Sequence, residues 1–381
     1  MIKNLILTIS ILLTAVLSGG SVRAEELNLS AGQNFQTVYR WSTQRCSELY
    51  IPDSPARAFR RTDGSVVLIA AHYLNQFMEG PSFDQLSPNC STSSSGHESD
   101  NPADFDTRYW IQALLPTPAG IIGLASHEYS GIRHHNCAKQ DSGSTCWYSS
   151  ILELVASENT FHFDFTKLRG ERFVAAPPLR FDPARPGRYG FISTSNVVVK
   201  DGWAYVFIWS EIGGTPGNCL FRAPSSDPLG HWAAYQSGSF SQRFGDPYAG
   251  DNSAARCDLI GNGKINGQLR SVIRINGLWV GVFQVGKGPG FEAGVYYSTS
   301  PNMIDWSTPR LLLKVQQWYG AKGCDYFYGY PSLIDHGSTS KIFDTGGKDL
   351  FLYLTRLNWK DCNKGLDRDL VRTHVSILPA G

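Results

Sequence analysis

Apolar and polar positions along this chain fall into short extended runs broken by tight turns, and one hairpin recurs five times. Each copy is a β-branched or aromatic run, a turn, and a second extended run whose C-terminal end becomes polar. The clearest copies are Ala56 to Arg60 with the turn Thr62-Asp-Gly64, and Ser195 to Val199 with the turn Lys200-Asp-Gly202. The others are Tyr109 to Leu115 before Pro116 to Gly120, Ser271 to Ile275 before Asn276-Gly277, and Pro331 to Asp335 before Gly346-Gly347. Asp-Gly and Asn-Gly pairs supply the left-handed backbone that tight hairpin turns need. The copies recur roughly every 55 to 85 residues, longer than the about 40 to 45 of a minimal four-stranded blade, which implies generous loops. The pattern predicts an all-β fold, a five-bladed β-propeller.

Outer strands follow the hairpins. Third strands are expected at Ser150 to Ser157, Cys219 to Pro224, Gly294 to Thr299 and Leu370 to Ile377. The last copy runs out of chain, so the stretch near Phe35 to Tyr39 is expected to supply a final strand, leaving no blade with an unpaired edge. Ser94 to Asp106 has no apolar period and reads as a long surface loop.

Composition fits this picture. The 381 residues carry a net charge of +1, 12% aromatic residues, 38 Gly and 20 Pro, a balance suited to many short strands joined by turns. Near-neutral charge gives no long-range attraction for nucleic acid or an anionic membrane. The repeat spreads over nearly the whole of residues 25–381, so a single domain is expected there, and a monomer. Residues 1–24 read as an export signal: Lys3, an apolar stretch from Leu5 to Leu17, and small residues in Val22-Arg-Ala24 before a cleavage point. The product is then periplasmic or secreted. Eight cysteines suit an oxidising compartment. Their positions around the hairpins predict sequential pairing: Cys46 with Cys90, Cys137 with Cys146, Cys219 with Cys257, and Cys324 with Cys362.

Strand direction selects a working face. Starts of first strands and ends of second strands share one face, and it collects Asp53, Arg57, His72, Asn75, Trp110, His127, Glu128, Tyr129, Asn196, Glu211, Tyr330 and Ser332. The opposite hairpin ends carry ordinary turn residues. Carbohydrate sites need such a mixture: aromatic planes for sugar C–H faces, hydrogen-bonding groups for hydroxyls, and carboxylates where a bond is cut. Within Ser126 to Gly131, Gly131 stands where a zinc-binding H-E-x-x-H helix would need its second histidine, so no metal and no cofactor is expected. Glu128, among Trp110, His127 and Tyr129, reads as a proton donor or acceptor, and equally as a hydrogen-bonding residue that fixes a loop. Asp53 reads as a catalytic carboxylate or as a turn cap before Pro55. Glu211 reads as catalytic or as a solvated loop charge, and Arg57 as a ligand group or a structural cation.

Three phrases carry a family likeness: Ser300 to Pro309 (SPNMIDWSTP), Gly329 to Asp335 (GYPSLID) and Asp349 to Thr355 (DLFLYLT). They resemble those of five-bladed propeller glycoside hydrolases, such as family 43 arabinanases and xylosidases. The resemblance implies a site where inner strands meet the central channel, with three carboxylates as base, acid and pKa modulator, and inversion at the anomeric carbon. Asp53 matches the position of the catalytic aspartate in the first blade. Ser195-Asn196 and Leu269-Arg270-Ser271 stand where the family places acidic residues in the third and fourth blades. The expected function is a secreted glycoside hydrolase acting on a polysaccharide or oligosaccharide, with Glu128 and either Asp53 or Glu211 as acid and base. The alternative is a glycan-binding propeller without cleavage.

Overall fold

The computed structural model describes residues 27–70, 72–92, 96–139, 146–164, 172–250, 253–261, 263–288, 290–318 and 323–378. The expected export signal lies outside the described residues. Two N-terminal strands, β1 (Asn28–Ala31) and β2 (Gln36–Tyr39), precede five antiparallel units. Unit one holds β3 (Arg57–Arg60), β4 (Val66–Ile69), β5 (Phe77–Gly80) and β6 (Ser87–Asn89) in sequential order. Unit two holds β7 (Arg108–Thr117), β8 (Gly120–Ser130) and β9 (Trp147–Ala156), with the short β10 (Phe163–Asp164) and β11 (Phe173–Ala175) on its outer edge. Unit three runs through β12 (Arg188–Thr194), β13 (Val198–Lys200), β14 (Trp203–Glu211), β15 (Gly217–Pro224), β16 (Ala233–Gln236) and β17 (Ser239–Gln242). Unit four is β18 (Ser271–Ile275), β19 (Leu278–Val285), β20 (Gly294–Ser300) and β21 (Arg310–Lys314). Unit five is β22 (Tyr326–Asp335), β23 (Leu350–Asn358) and β24 (Arg368–Leu378).

Local chemistry explains the hairpins. Asp201 and Gly202 (φ 51° and 78°), and Asn276 and Gly277 (φ 48° and 82°), are both left-handed, the twist that suits a two-residue turn between right-twisted strands. Both N-terminal strands add to β24, with Asn28 opposite Leu378 and Gln36 opposite Arg372. The last unit is thus completed by the start of the chain, over a wider stretch than Phe35 to Tyr39. Two inner strands also start earlier than their apolar runs suggest. In unit three β12 pairs β14 upstream of Ser195, and Arg188 to Gly190 runs parallel to Trp147 to Ser149, joining the sheets of units two and three. In unit five a register shift between Gly329 and Ser332 lets β22 begin at Tyr326, with Tyr330 at φ 55°.

Strand alternation sends successive side chains to opposite sheet faces, and here both faces are covered. Phe59, Val67 and Ile69 pack against unit two, whereas Ala58, Val66 and Leu68 pack against unit five. Leu124 faces unit three and Ala125 unit one, while Val272 faces unit three and Ile273 unit five. Five apolar clusters therefore lie between successive units, and the cluster joining Leu68 and Met78 to Tyr353 and Leu370 closes the ring from unit five to unit one. Each fully buried Val, Leu, Ile or Phe in them contributes about 1.5–3 kcal/mol. The fold is an all-β propeller of five units.

Arg57 marks its axis. Its buried guanidinium donates Nε to the Gln112 carbonyl (2.5 Å), Nη1 to the Ala56 carbonyl (3.1 Å) and Ser332 Oγ (3.2 Å), and Nη2 to the carbonyls of Thr194 (3.3 Å) and Arg270 (2.6 Å). These partners come one from each unit. Side-chain amides tie neighbours together: Asn75 accepts from Ile111 N, Gln112 from Thr194 N, Asn196 from Val272 N, and Gln284 from Tyr330 N. Disulfides join Cys46–Cys90, Cys137–Cys146, Cys219–Cys257 and Cys324–Cys362, the sequential order expected. Among the described residues no helix is long and apolar enough to cross a membrane.

Candidate active site

Where the inner strands begin, the five units surround a pocket of ≈ 410 Å³. Asp53, whose N–H donates to the Ala70 carbonyl (3.0 Å) beside the end of β4, supplies one wall. Trp110 and Glu128 come from β7 and β8, Arg188 from β12, Arg270 from the residue before β18, Tyr330 from β22 and Arg368 from β24. Trp147 and Trp318 extend the aromatic lining. A second concavity of ≈ 410 Å³, on the outer strands of units two and three around Phe173, Trp232 and Phe244, has no carboxylate in its lining among the described residues. Converging chemistry belongs to the axial pocket.

Two carboxyl groups meet there under opposite influences. Glu128 sits on the pocket side of β8, and among the described residues nothing hydrogen-bonds its carboxyl. Burial, then the negative charge of Asp53, push its pKa from the ordinary 4.5 up to about 7, while Arg188 and Arg108 pull it back. A carboxyl in that range gives up a proton near neutrality. Asp53 is tied down on its oxygens instead. It pairs with Arg368 and accepts from Tyr330 Oη (3.2 Å) and Trp110 Nε1 (3.3 Å). His72 Nε2 lies 4.0 Å from its second oxygen, but burial pushes the imidazole down to about 4, so His72 is neutral at ordinary pH. The pocket thus sets a carboxyl with a raised pKa beside a second carboxyl anchored by an arginine, a tyrosine and a tryptophan.

The other residues of the expected face separate into distinct layers. Trp110 and Tyr330 line the pocket, and His72 lies behind Asp53 with its ring edge-on to Trp110 (5.9 Å). Arg57, Asn196 and Ser332 lie further along the axis, around a smaller cavity shared with Leu114 and Ile334. Asn196 exchanges hydrogen bonds with Val272 N (2.7 Å) and O (2.8 Å), and buried Asn75 does the same between units one and two, through Ile111 N and Tyr109 O (both 2.9 Å). His127 and Tyr129 flank Glu128 on β8, so alternation turns them away from the pocket into the interior. His127 lies 2.9 Å from Thr107 Oγ1 and 3.2 Å from Ser150 Oγ, and burial lowers its pKa to about 3. Tyr129 donates to the Asp100 carbonyl (2.8 Å) and stacks on His134 at 4.8 Å. Glu211 turns behind Arg188, which clasps both of its oxygens, and accepts from Trp209 Nε1 (3.0 Å).

Several wall residues carry little signal in the sequence. Arg188 precedes the third apolar run, and only its pairing with unit two shows that the inner strand starts there. Arg368 opens a third strand, a position with no obvious reach to the axis, yet it bonds Asp53 at a separation of 315 residues. Gln268 and Trp318 lie in loops between units.

No family model matches the chain, and no curated protein does. Solved structures similar to it are glycoside hydrolases of families 43 and 62. One is a thermostable family-43 glycoside hydrolase, 10% identical, with 87% of this chain and 97% of that chain covered and a TM-score of 0.46. The α-L-arabinanase of Cellvibrio cellulosa is 12% identical over 86% of this chain and 92% of that one, with a TM-score of 0.45. The catalytic domain of the GH62 α-L-arabinofuranosidase of Coprinopsis cinerea is 10% identical over 92% and 98%, again with a TM-score of 0.45.

Proposed function

We propose that this protein is an exported glycoside hydrolase whose axial pocket cleaves a glycan by carboxyl acid–base catalysis. The observation that carries the reading is the pair formed by Glu128 and Asp53: one carboxyl raised to about 7 and free of partners in the described chain, the other anchored by Arg368, both on one aromatic-lined pocket. Glycosidic cleavage needs that division of labour. A protonated carboxyl delivers its proton to the leaving oxygen, while a carboxylate activates water or stabilises the positive charge developing on the sugar ring. In this assignment Glu128 is the acid and Asp53 the anionic partner. Trp110, Trp147, Trp318 and Tyr330 supply planes for sugar rings. Glu211 acts through Arg188, which it holds in the wall. Four disulfides suit an oxidising compartment outside the cytosol.

One observation favours binding without cleavage: Arg368, Tyr330 and Trp110 already occupy most of the acceptor sites of Asp53, leaving little room for a water. Digestion of a polysaccharide panel including arabinan, xylan and acidic glycans separates the two readings. Wild type is expected to release oligosaccharides from at least one member and Glu128→Gln from none. Binding by wild type with no product from any member overturns the hydrolase assignment.

A further inference from the structure

The axial pocket holds one cation more than its own acids answer. Arg368 is paired with Asp53, and Arg188 with Glu211. Arg270 also lines the pocket and is only 4% exposed, yet among the described residues it has no ion-pair partner. Its Nε is buried without a hydrogen-bond partner, and no described group bonds its terminal nitrogens. Its guanidinium lies 5.5 Å from the centroid of the Tyr330 ring. The backbone on either side is committed: its N–H donates to the Val282 carbonyl (2.9 Å), and its carbonyl accepts from Arg57 (2.6 Å). Arg57 is a second buried cation, and all of its partners are neutral oxygens. Two guanidinium groups are therefore buried near the axis, Arg270 in the wall of the pocket and Arg57 around the smaller cavity beyond it, and among the described residues no carboxylate pairs with either.

Such an arrangement is costly by itself. Buried charges are ordinarily paired, and buried donors ordinarily find acceptors. The planar fork of a guanidinium matches two oxygens of a carboxylate or sulfate, and removal from water strengthens that contact. Glu128, the remaining acid on the wall, makes no ion pair with Arg270, and its strand lies in unit two, separated from unit four by unit three. We propose that the pocket takes a glycan whose bound sugar carries an anionic substituent, a uronic acid carboxylate or a sulfate ester, and that Arg270 receives it. The inference rests on the reading of this pocket as a glycan site and narrows its substrate to acidic glycans.

The test uses matched polysaccharides: uronic acid polymers with their carboxyl-reduced counterparts, and sulfated polymers with their desulfated counterparts. Binding is measured by affinity electrophoresis in the Glu128→Gln protein, so that the glycan stays intact, and in the same protein carrying Arg270→Gln or Arg270→Lys. At least one acidic member is expected to bind about tenfold or more tightly than its neutral counterpart, the worth of a charge-assisted hydrogen-bond pair. That ratio is expected to fall to near one with Arg270→Gln and to persist in part with Arg270→Lys. The carboxylate and sulfate arms identify which anion is recognised. Equal binding of acidic and neutral members, no binding of any acidic member, or a preference that survives Arg270→Gln overturns the proposal. The comparison in the Arg270-containing protein decides the acidic preference without relying on the folding of either Arg270 variant, and the two variants decide the assignment to Arg270. Product release by wild type is scored separately. Acidic preference without product defeats the hydrolase reading alone, and cleavage of neutral glycans without acidic preference defeats the acidic-glycan inference alone.

Discussion

Replacing Glu128 by Gln is expected to make the protein more stable at alkaline pH while removing its activity. A carboxyl raised from 4.5 to about 7 by burial and by Asp53 is held in its protonated form by the folded state. The stability it contributes is fully present below about pH 4.5, falls as pH rises, and is lost above about pH 7, because the folded protein must then ionise a group that the unfolded chain ionises more easily. The interval between those values corresponds to up to about 3 kcal/mol, lessened by whatever water in the pocket screens the charge. Gln keeps the shape and never ionises. Glu128→Gln is therefore expected to match wild type near about pH 4.5 and to exceed it by up to about 3 kcal/mol near about pH 8.5. Urea unfolding followed by tryptophan fluorescence at the two pH values measures the difference. Rate against pH gives the functional half: wild-type turnover should decline with rising pH as Glu128 loses its proton near about 7, and Glu128→Gln should lose about 10²- to 10⁴-fold in rate. If the two proteins share one dependence of stability on pH, or if the variant is the weaker at alkaline pH, the carboxyl is not desolvated and its role as acid loses its basis.

Two further substitutions probe the surrounding frame. Arg57→Met keeps the apolar stem but removes donors that reach all five units; the lost hydrogen bonds are partly offset by no longer burying a cation, and a net loss of about 3–5 kcal/mol in denaturant unfolding is expected. A change under about 1 kcal/mol would mean the axis is held by apolar packing alone. Asp53→Asn removes a negative charge that raises the Glu128 pKa and leaves Arg368 unanswered, and both effects favour the ionised form of Glu128. The alkaline limb of the residual rate profile, or of the stability profile where no rate remains, should move to lower pH; movement to higher pH would contradict the coupling.

Much of this architecture is legible in the chain. Asp201-Gly202 and Asn276-Gly277 announce their turns because few other pairs adopt two successive left-handed conformations. Runs such as Val66 to Ile69, apolar at every position, announce sheets covered on both faces. The repeat also orders the cysteines: Cys46 and Cys90 flank the hairpin of unit one, Cys324 and Cys362 that of unit five, Cys137 and Cys146 share one loop after the hairpin of unit two, and Cys219 and Cys257 bracket the outer strands of unit three. The site was legible only as a set of candidates. Strand direction placed Glu128 and Asp53 at one end of the molecule, but the same rule gathered Asn75, Asn196 and His127, which the structure spends on joining units or filling the interior.

Turns and alternation are decided within a few residues, by allowed backbone angles and by which side chains avoid water, so the sequence by itself determined the hairpins, their number and the faces of their strands. The charge state of a pocket depends on which groups stand within a few ångströms across the axis, and those come from positions as far apart as Asp53 and Arg368. Only closure of the ring brings Arg368 to Asp53, sets Glu128 beside that carboxyl, and buries Arg270 where no acid of the described residues meets it. Burial and Coulomb interaction act through space rather than along the chain, and for that reason the tertiary structure alone decided which of the candidate residues form the site.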